Sequence, residues 1–434
     1  MKIVITTVQI PFVQGGAELH ARNLKNALIE AGHEVDIVTM PFMGHPIDVI
    51  EDYIVASRLM NVRDSWVAGH TDFCIGLKFP AYYMPHPNKV VWALHQHREA
   101  YELFDTDYSN MKDDEKGNAV RRSIYNADRQ YLSEAKHIFA NSENVAGRML
   151  YYTGLASTPL YHPCPDMEKF YHEEYGDYIL MPSRINVTKR QMLALDALML
   201  TKHPVKLCIV GKTDNEKKKR EFLEHIRECG LEDRVTYLDF VSQEKKLELY
   251  ARAKAVLFIP FDEDYGYITI EAMLHRKPVI TTVDAGGPKE FVRNGETGYV
   301  TAFEEHAIAE KIDYFAQHPE EAGRMGENAY QTVQAITWQS VVDGILRDLP
   351  KEKPERTKNR KKLTVTSTFQ IAPPQGGGQA RIYNLYKNVA KEYDVEIVSF
   401  TNHRLPGFDG EITRGVREIR IPESREHAQQ EAAL

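Results

Sequence analysis

Residues 255–300 read AVLFIPFDEDYGYITIEAMLHRKPVITTVDAGGPKEFVRNGETGYV, and this stretch decides the fold. AVLFIP (255–260) is a short apolar run, as expected of a parallel strand buried on both faces. FDEDYGY (261–267) is a loop with one glycine, ITIEAMLHR (268–276) has helical spacing, and KPVITT (277–282) is a second buried strand. A further turn, Asp284-Ala285-Gly286-Gly287-Pro288, leads to Lys289-Glu290-Phe291-Val292, which opens a helix. Asn294-Gly295-Glu296-Thr297-Gly298-Tyr299-Val300 is a tight turn into another strand. Strands alternating with helices specify an open α/β sheet, in which ligands bind where strand ends meet helix N-termini. Glu263 ends the first strand and Glu271 follows eight residues later on the helix. Beside an anion-binding helix start, carboxylates repel a phosphate. They accept hydrogen bonds from hydroxyls attached to it, such as those of a ribose or a sugar.

The chain has 434 residues, which fits about three domains at roughly 150 residues each. Hydrophobic residues at 43% and charged residues at 27% supply an ordinary globular core. A net charge of −8 argues against a nucleic-acid partner. Cys74, Cys164, Cys208 and Cys229 show no metal-ligand spacing and suit a reduced compartment. The start, MKIVITTVQIPF, is too short and interrupted an apolar run for a signal peptide, and no stretch is long enough for a membrane span. The expected location is the cytoplasm, with peripheral contact at the inner face of the membrane left open.

From the N-terminus, Lys2–Thr7 is a strand, Leu19–Ala31 is helical, and Val35–Met40 is the next strand, giving a βαβ unit. Gly15 and Gly16 stand at its first strand-to-helix turn, where a bare backbone can approach an anion. This is not the G-x-G-x-x-G dinucleotide fingerprint, and no acidic residue closes the second strand. Residues 73–77 and 89–94 form further strands, and the second ends at His95-Gln96-His97-Arg98. A histidine at a strand's C-terminal tip is placed where a reactive side chain projects, with His95 the first choice and His97 the second. HIFAN (137–141) is another strand, followed by Ser142 as an N-cap.

A new sheet begins at Tyr178–Pro182, and Arg184 and Lys189 lie on the connection to the helix from Arg190. Two cations on such a turn can converge as a pyrophosphate clamp and neutralise a departing diphosphate. Strands follow at 206–211 and 234–240, with a charged helix from Glu216 to Cys229 between them, and Glu310–Leu349 is helical. Residues 351–362, KEKPERTKNRKK, form a charged linker. The chain then restarts. Lys362-Leu363-Thr364-Val365-Thr366 parallels Lys2-Ile3-Val4-Ile5-Thr6, and Gln375-Gly376-Gly377 parallels Gln14-Gly15-Gly16. The offset is 360 or 361 residues, so a βαβ start is repeated. The repeat is expected to be partly ordered at best and to lack catalysis.

P-x-x-E-x-x-G-x-x-x-x-E-A-M at 260–273, with Pro278-Val279-Ile280, Gly286-Gly287 and N-G-x-T-G-x-V at 294–300, resembles the nucleotide-sugar half of a family 4 glycosyltransferase. The resemblance covers roughly residues 1–349 and is strongest over 178–300. It implies the GT-B fold: α/β, with two Rossmann-like parallel-sheet domains facing a cleft. A truncated third Rossmann-like segment follows. The expected domains are 1–172 on the acceptor side, 173–350 for the nucleotide sugar with a crossover helix, the linker 351–362, and the partial repeat 363–434.

The implied reaction moves a sugar from a nucleotide diphosphate sugar, UDP- or GDP-linked, to a hydroxyl acceptor such as a glycan or lipid-linked saccharide. Configuration is retained and no metal or other cofactor is needed. By resemblance, Glu263 orients the donor sugar, Glu271 holds the ribose hydroxyls, and Arg184 and Lys189 bind the diphosphate. The backbone at Tyr265-Gly266-Tyr267, at Gly15-Gly16 and at Val241 contacts the donor, and His95 stands near the reacting carbon. Asp264 departs from the family, where glycine is usual. Asp262 and Asp264 form a D-x-D pattern, read as loop chemistry rather than a metal site. The rival functions are a nucleotide-sugar epimerase and a non-catalytic subunit working with a second glycosyltransferase chain.

Overall fold

The computed structural model describes residues 1–12, 15–65, 69–347, 361–374, 376–390, 392–402, 407–413, 415–424 and 426. Nearly all of the expected linker, together with Gln14 and Gln375 of the repeated turn, lies outside the described residues. The chain divides into two compact units. One comprises Met1–Ala140, Ala146–Thr158 and Val342–Leu434, and the other Asn141–Val145 and Pro159–Val341.

The first unit opens with β1 (Lys2–Gln9), α1 (Gly16–Glu30), β2 (Glu34–Pro41) and α2 (Val49–Leu59). A small hairpin, β3 (Asp64–Ser65) and β4 (Gly69–His70), precedes β5 (Phe73–Gly76) and β6 (Lys89–Ala93). Then come α3 (Glu115–Ala127), β7 (His137–Ala140), α4 (Glu143–Thr153) and β8 (Thr158–Pro159). The sheet order is β2-β1-β5-β6-β7-β8. β1 pairs in parallel with both β2 and β5, so it is the strand at which the winding direction reverses. β5 and β6 are buried along their whole length, as their unbroken apolar runs predict.

The second unit contains β9 (Tyr178–Pro182), α5 (Gln191–Met199), β10 (Lys206–Val210), α6 (Glu216–Glu228), β11 (Val235–Leu238) and α7 (Gln243–Arg252). β12 (Val256–Leu257), α8 (Tyr267–Leu274), β13 (Val279–Thr282), β14 (Gly298–Thr301), α9 (Glu305–Gln317) and α10 (Pro319–Val333) follow. α11 (Trp338–Arg347) carries the chain back to the first unit, which resumes at Val342. The sheet order β11-β10-β9-β12-β13-β14 is parallel throughout, and the winding reverses between β9 and β12.

Alternate residues of its strands feed two separate cores. Ile179, Met181, Leu207, Ile209 and Leu257 pack with α5, α6 and α9 on one face. Leu180, Cys208, Val210, Val256 and Phe258 pack with α7, α8 and α10 on the other. Helices on both faces are what a parallel sheet requires. Asn215 and Ser242 cap α6 and α7 by accepting from the amides of Lys218 (2.9 Å) and Lys245 (3.2 Å). Ser142 caps α4 as the sequence predicts, accepting from Val145 N at 3.0 Å.

Some local expectations change. Within the helical stretch expected over Glu310–Leu349, the described residues, to Arg347, fall in three helices. Pro319 has no amide hydrogen to extend α9 and instead starts α10, and the second break falls at Gln334–Thr337. The helix expected at Lys289 is a single 3-10 turn, Gly287–Glu290.

After the undescribed stretch come β15 (Lys362–Ser367), α12 (Gly377–Val389), β16 (Asp394–Thr401), β17 (Phe408–Thr413) and β18 (Val416–Pro422). They form a four-stranded sheet in the order β15-β16-β18-β17, with its own apolar cluster around Ile371, Val395, Ile397, Ile412 and Val416. β15 pairs β16 in parallel from Lys362↔Asp394, as β1 pairs β2 from Lys2↔Glu34. Among the described residues no helix is long and apolar enough to cross a membrane.

Candidate active site

In the second unit the winding reverses between β9 and β12, so the connections leaving these two strands lead to helices on opposite faces of the sheet, α5 and α8. That position is where open α/β sheets bind ligands. The β9 loop carries Arg184 and Lys189, and the β12 loop carries Glu263. Backbone hydrogen bonds tie the loops together: Phe261 N donates to Thr188 O at 2.8 Å, and Asp262 N to Asp284 O at 2.9 Å. Glu263 N donates to Ala285 O at 2.9 Å, and Gly287 N donates back to Glu263 O at 2.8 Å.

The close approach explains two glycines. Gly286 has φ 76°, and a Cβ there would fall 2.4 Å from the Glu263 carbonyl oxygen. Gly266, at the head of α8, has φ 85°, and a Cβ would fall 2.9 Å from Cγ of Pro288. Both conformations are left-handed and open to glycine at little cost.

Lys189 and Glu263 form a direct ion pair, both largely shielded from solvent. The Lys189 ammonium also lies 5.4 Å from the centre of the Phe258 ring. Asn186 fixes the turn before it, accepting from Lys189 N at 3.0 Å. Arg190 has φ 59°, unusual for a residue with a side chain. Its guanidinium forks onto Asp284 at 2.9 and 2.6 Å and stacks 4.0 Å above Phe303. Burial disfavours the Asp284 carboxylate, but the hydrogen bonds from Arg190 and Thr282 and the Arg190 charge outweigh it, holding its pKa below the usual range.

Glu271, on α8, is gripped from α7. Lys246 Nζ lies 2.7 Å from Oε1 and Tyr250 donates to Oε2 at 2.7 Å. Arg184 does not share a partner with Lys189: its side chain is 69% exposed, with Nε 3.8 Å from Asp214 Oδ1. Tyr265 turns its side chain into the core and donates to His162 O at 2.6 Å, which leaves its backbone to line the loop. Tyr267 and Val241 are half-buried, the latter just before the Ser242 cap. Asp262 Oδ1 accepts from Asn144 Nδ2 at 2.8 Å, which engages the first acid of the D-x-D pattern. Glu290 accepts from the amides of Glu143 and Asn144, both at 2.8 Å. Burial raises its pKa against the pull of those bonds.

In the first unit, His95 follows β6 with Nδ1 2.6 Å from Gln96 O. His97 is packed 4.9 Å from Phe79, ring centre to ring centre, and burial, with a smaller effect of His95, lowers its pKa to about 4. Gly15 heads α1, and its amide donates to Glu18 Oε2 at 2.8 Å, so a carboxylate already caps this turn. Asp128 is fully buried beneath three phenols, those of Tyr82 (3.1 Å), Tyr83 (2.7 Å) and Tyr101 (2.5 Å).

The sequence pattern singled out Lys189, Glu263 and Glu271 but not Lys246, Tyr250, Arg190, Asp284 or Asn144. Lys246 and Tyr250 are spaced four apart on one helix, the single local signal they carry.

The glycosyl transferases group 1 family model matches residues 166–332. An alpha-1,3/1,6-mannosyltransferase ALG2 of Dictyostelium discoideum is 32% identical over 123 residues, 28% of this chain. The aligned region spans 29% of that relative's length. Sucrose-phosphate synthase from Thermosynechococcus elongatus superposes with a TM-score of 0.62 at 18% identity, covering 79% of this chain and 97% of that one. HepE of Anabaena, solved in complex with UDP and glucose, gives a TM-score of 0.59 at 19% identity, covering 80% and 99%. These solved structures establish the fold as GT-B, two Rossmann-like sheets, here with an additional small sheet. Lys189, Glu263 and Glu271, and the strands from β9 to β14 whose loops carry them, lie within the stretch that the glycosyl transferases group 1 model matches.

Proposed function

We propose that the chain transfers a sugar from a nucleotide diphosphate sugar to a hydroxyl acceptor with retention of configuration. The observation that carries this is the pairing of Lys189 with Glu263 at the β9–β12 reversal, with Glu271 fixed on the adjoining helix. A cation beside the start of α8 suits a diphosphate, and two anchored carboxylates suit the hydroxyls on either side of it.

In this scheme Glu271 accepts from the ribose hydroxyls and Glu263 from the donor sugar. Lys189 exchanges Glu263 for the diphosphate as charge grows on the leaving group. Arg184 joins it by turning its exposed side chain away from Asp214. The backbone at Gly266, Tyr267 and Val241 lines the donor. His95 and the Gly15-Gly16 turn take the roles that the family resemblance implies for them. The acceptor is a saccharide or a lipid-linked saccharide, the latter reached by peripheral contact with a membrane.

The test is acceptor-dependent release of nucleoside diphosphate from a panel of UDP-, GDP-, ADP- and TDP-sugars, with product anomers assigned by NMR. Release with one donor class and a retained linkage supports the scheme. Epimer formed without acceptor, or binding without turnover, overturns it.

We further propose that residues 363–434 repeat the beginning of the first domain and have no catalysis of their own. One parallel supports this besides the shared register. Gly376 heads α12 and donates to Gln379 Oε1 at 2.9 Å, as Gly15 donates to Glu18. Past β16 the likeness ends: β18 lies beside β16 and pairs antiparallel with β17, whereas β5 lies beside β1.

A further inference from the structure

Cys229 closes the C-terminal end of α6, and His225 stands one turn earlier on the same helix. Folding brings α5 against that turn. His225 Nε2 lies 2.9 Å from Oδ1 of Asp196 on α5 and 3.6 Å from Sγ of Cys229. One ligand atom from each of the three residues lies within 4.8 Å of the other two. On the far side of the imidazole, Nδ1 is 3.8 Å from Oε2 of Glu228. We propose that Asp196, His225 and Cys229 are a zinc site that clips α6 to α5, with water as the fourth ligand.

The His225–Cys229 spacing fits a tetrahedron. Bonds of about 2.0 Å to nitrogen and about 2.3 Å to sulfur at the tetrahedral angle place N and S about 3.5 Å apart. The observed separation is 3.6 Å. Nitrogen and oxygen belong about 3.3 Å apart, so Asp196 has to retreat from its 2.9 Å contact by a few tenths of an ångström. Its side chain is 42% exposed and has room to do so.

The donor set of thiolate, imidazole and carboxylate favours zinc over magnesium or calcium. Glu228 stands where an outer carboxylate orients a metal-bound histidine through its second ring nitrogen. A bound divalent cation favours the thiolate form of Cys229. The thiol proton leaves to solvent as the Zn–S bond forms, with no change of oxidation state. The Asp196–His225 hydrogen bond gives way to two metal bonds. α5 directly follows the Lys189–Arg190 turn, so the clip would stiffen the element behind that turn.

The experiment uses the full chain stripped of metal with a chelator, then titrated with Co²⁺ and competed with Zn²⁺. Expected are one cobalt per chain, tetrahedral visible bands, and a thiolate-to-cobalt charge-transfer band that Zn²⁺ abolishes stoichiometrically. Cys229→Ser should lose the charge-transfer band, and His225→Gln should weaken cobalt binding at least tenfold. Zn²⁺ should raise the melting temperature of the wild type by about 3 °C or more and leave Cys229→Ser unmoved. A charge-transfer band that survives Cys229→Ser, or its absence from the wild type, overturns the proposal.

A measurement on the wild type alone removes dependence on the variants' folding. Cys74, Cys164 and Cys208 are buried and Cys229 is half-buried, so Cys229 is the thiol most open to alkylation. Zn²⁺ should slow its alkylation, read by peptide mass, at least tenfold. An unchanged rate overturns the site.

Discussion

Tyr250 donates its phenolic hydrogen to Oε2 of Glu271 at 2.7 Å, while Lys246, one turn earlier on α7, holds Oε1 at the same distance. His275 lies flat against Tyr250, ring centres 5.1 Å apart and planes 2° from parallel. The Glu271 carboxylate is therefore aimed by a neighbouring helix rather than by its own. Hydrogen bonds to a charged group contribute about 1.5–3 kcal/mol. Lys246 still holds the carboxylate in Tyr250→Phe, so about half of that, roughly 0.7–1.4 kcal/mol, should be lost from donor binding, raising the donor Kd about three- to tenfold with kcat nearly unchanged. Calorimetric titration with a non-hydrolysable donor and steady-state kinetics decide it, and equal donor affinity would remove Tyr250 from this role.

Lys189→Ala should cut kcat by roughly 100- to 1,000-fold, the usual loss when one group that stabilises developing charge is removed. Donor Kd should change by less, because the ion pair with Glu263 already competes for the ammonium in the unliganded enzyme. If kcat and donor affinity fall equally, Lys189 serves binding alone.

Gly286→Ala forces a side chain into a left-handed turn and onto the Glu263 carbonyl. The expected cost is about 1–3 kcal/mol of stability. Turnover of the folded fraction should also fall, since the β12 loop must shift to relieve the contact. Denaturant unfolding together with kinetics at matched folded fraction checks both.

Asp128 gives a pH signature in the first unit. Burial, opposed by the three phenol hydrogen bonds, raises its pKa from 3.8 to about 6. The native state therefore holds this proton where the unfolded chain has released it. Stability contributed by the group is complete below about pH 4 and declines as pH rises towards 6, by up to about 3 kcal/mol. Asp128→Asn should flatten that part of the curve when unfolding free energy is measured from pH 4 to 7. A wild-type curve that is flat or rising through the window, once other groups are subtracted using the variant, would contradict the assignment.

Deleting residues 361–434 should leave acceptor-dependent diphosphate release within about twofold of the full chain. A folded deletion variant without activity would show that the added sheet supports the enzyme.

The strand-loop-helix frame was legible because parallel strands buried on both faces need continuous apolar runs, and AVLFIP, KPVITT and YILMP supply them. The places of Lys189 on the β9 loop, Glu263 on the β12 loop and Glu271 on α8 were legible because the motif spacing fixes them in the chain. Their partners were not. Asp284 meets Arg190 across 94 residues and Asn144 meets Asp262 across 118, distances over which no local periodicity carries information. Arg184 shows the complementary failure: position on the loop was readable, but an exposed side chain takes its orientation from whatever charge is nearest, here Asp214.

The backbone ties among the loops after β9, β12 and β13 bear on how this half of the molecule can be re-engineered. A Glu263 segment transplanted alone from a relative would have to follow the same backbone path to keep its bonds to Thr188, Asp284, Ala285 and Gly287. Donor preference should therefore be exchanged between relatives only when all three segments travel as a block.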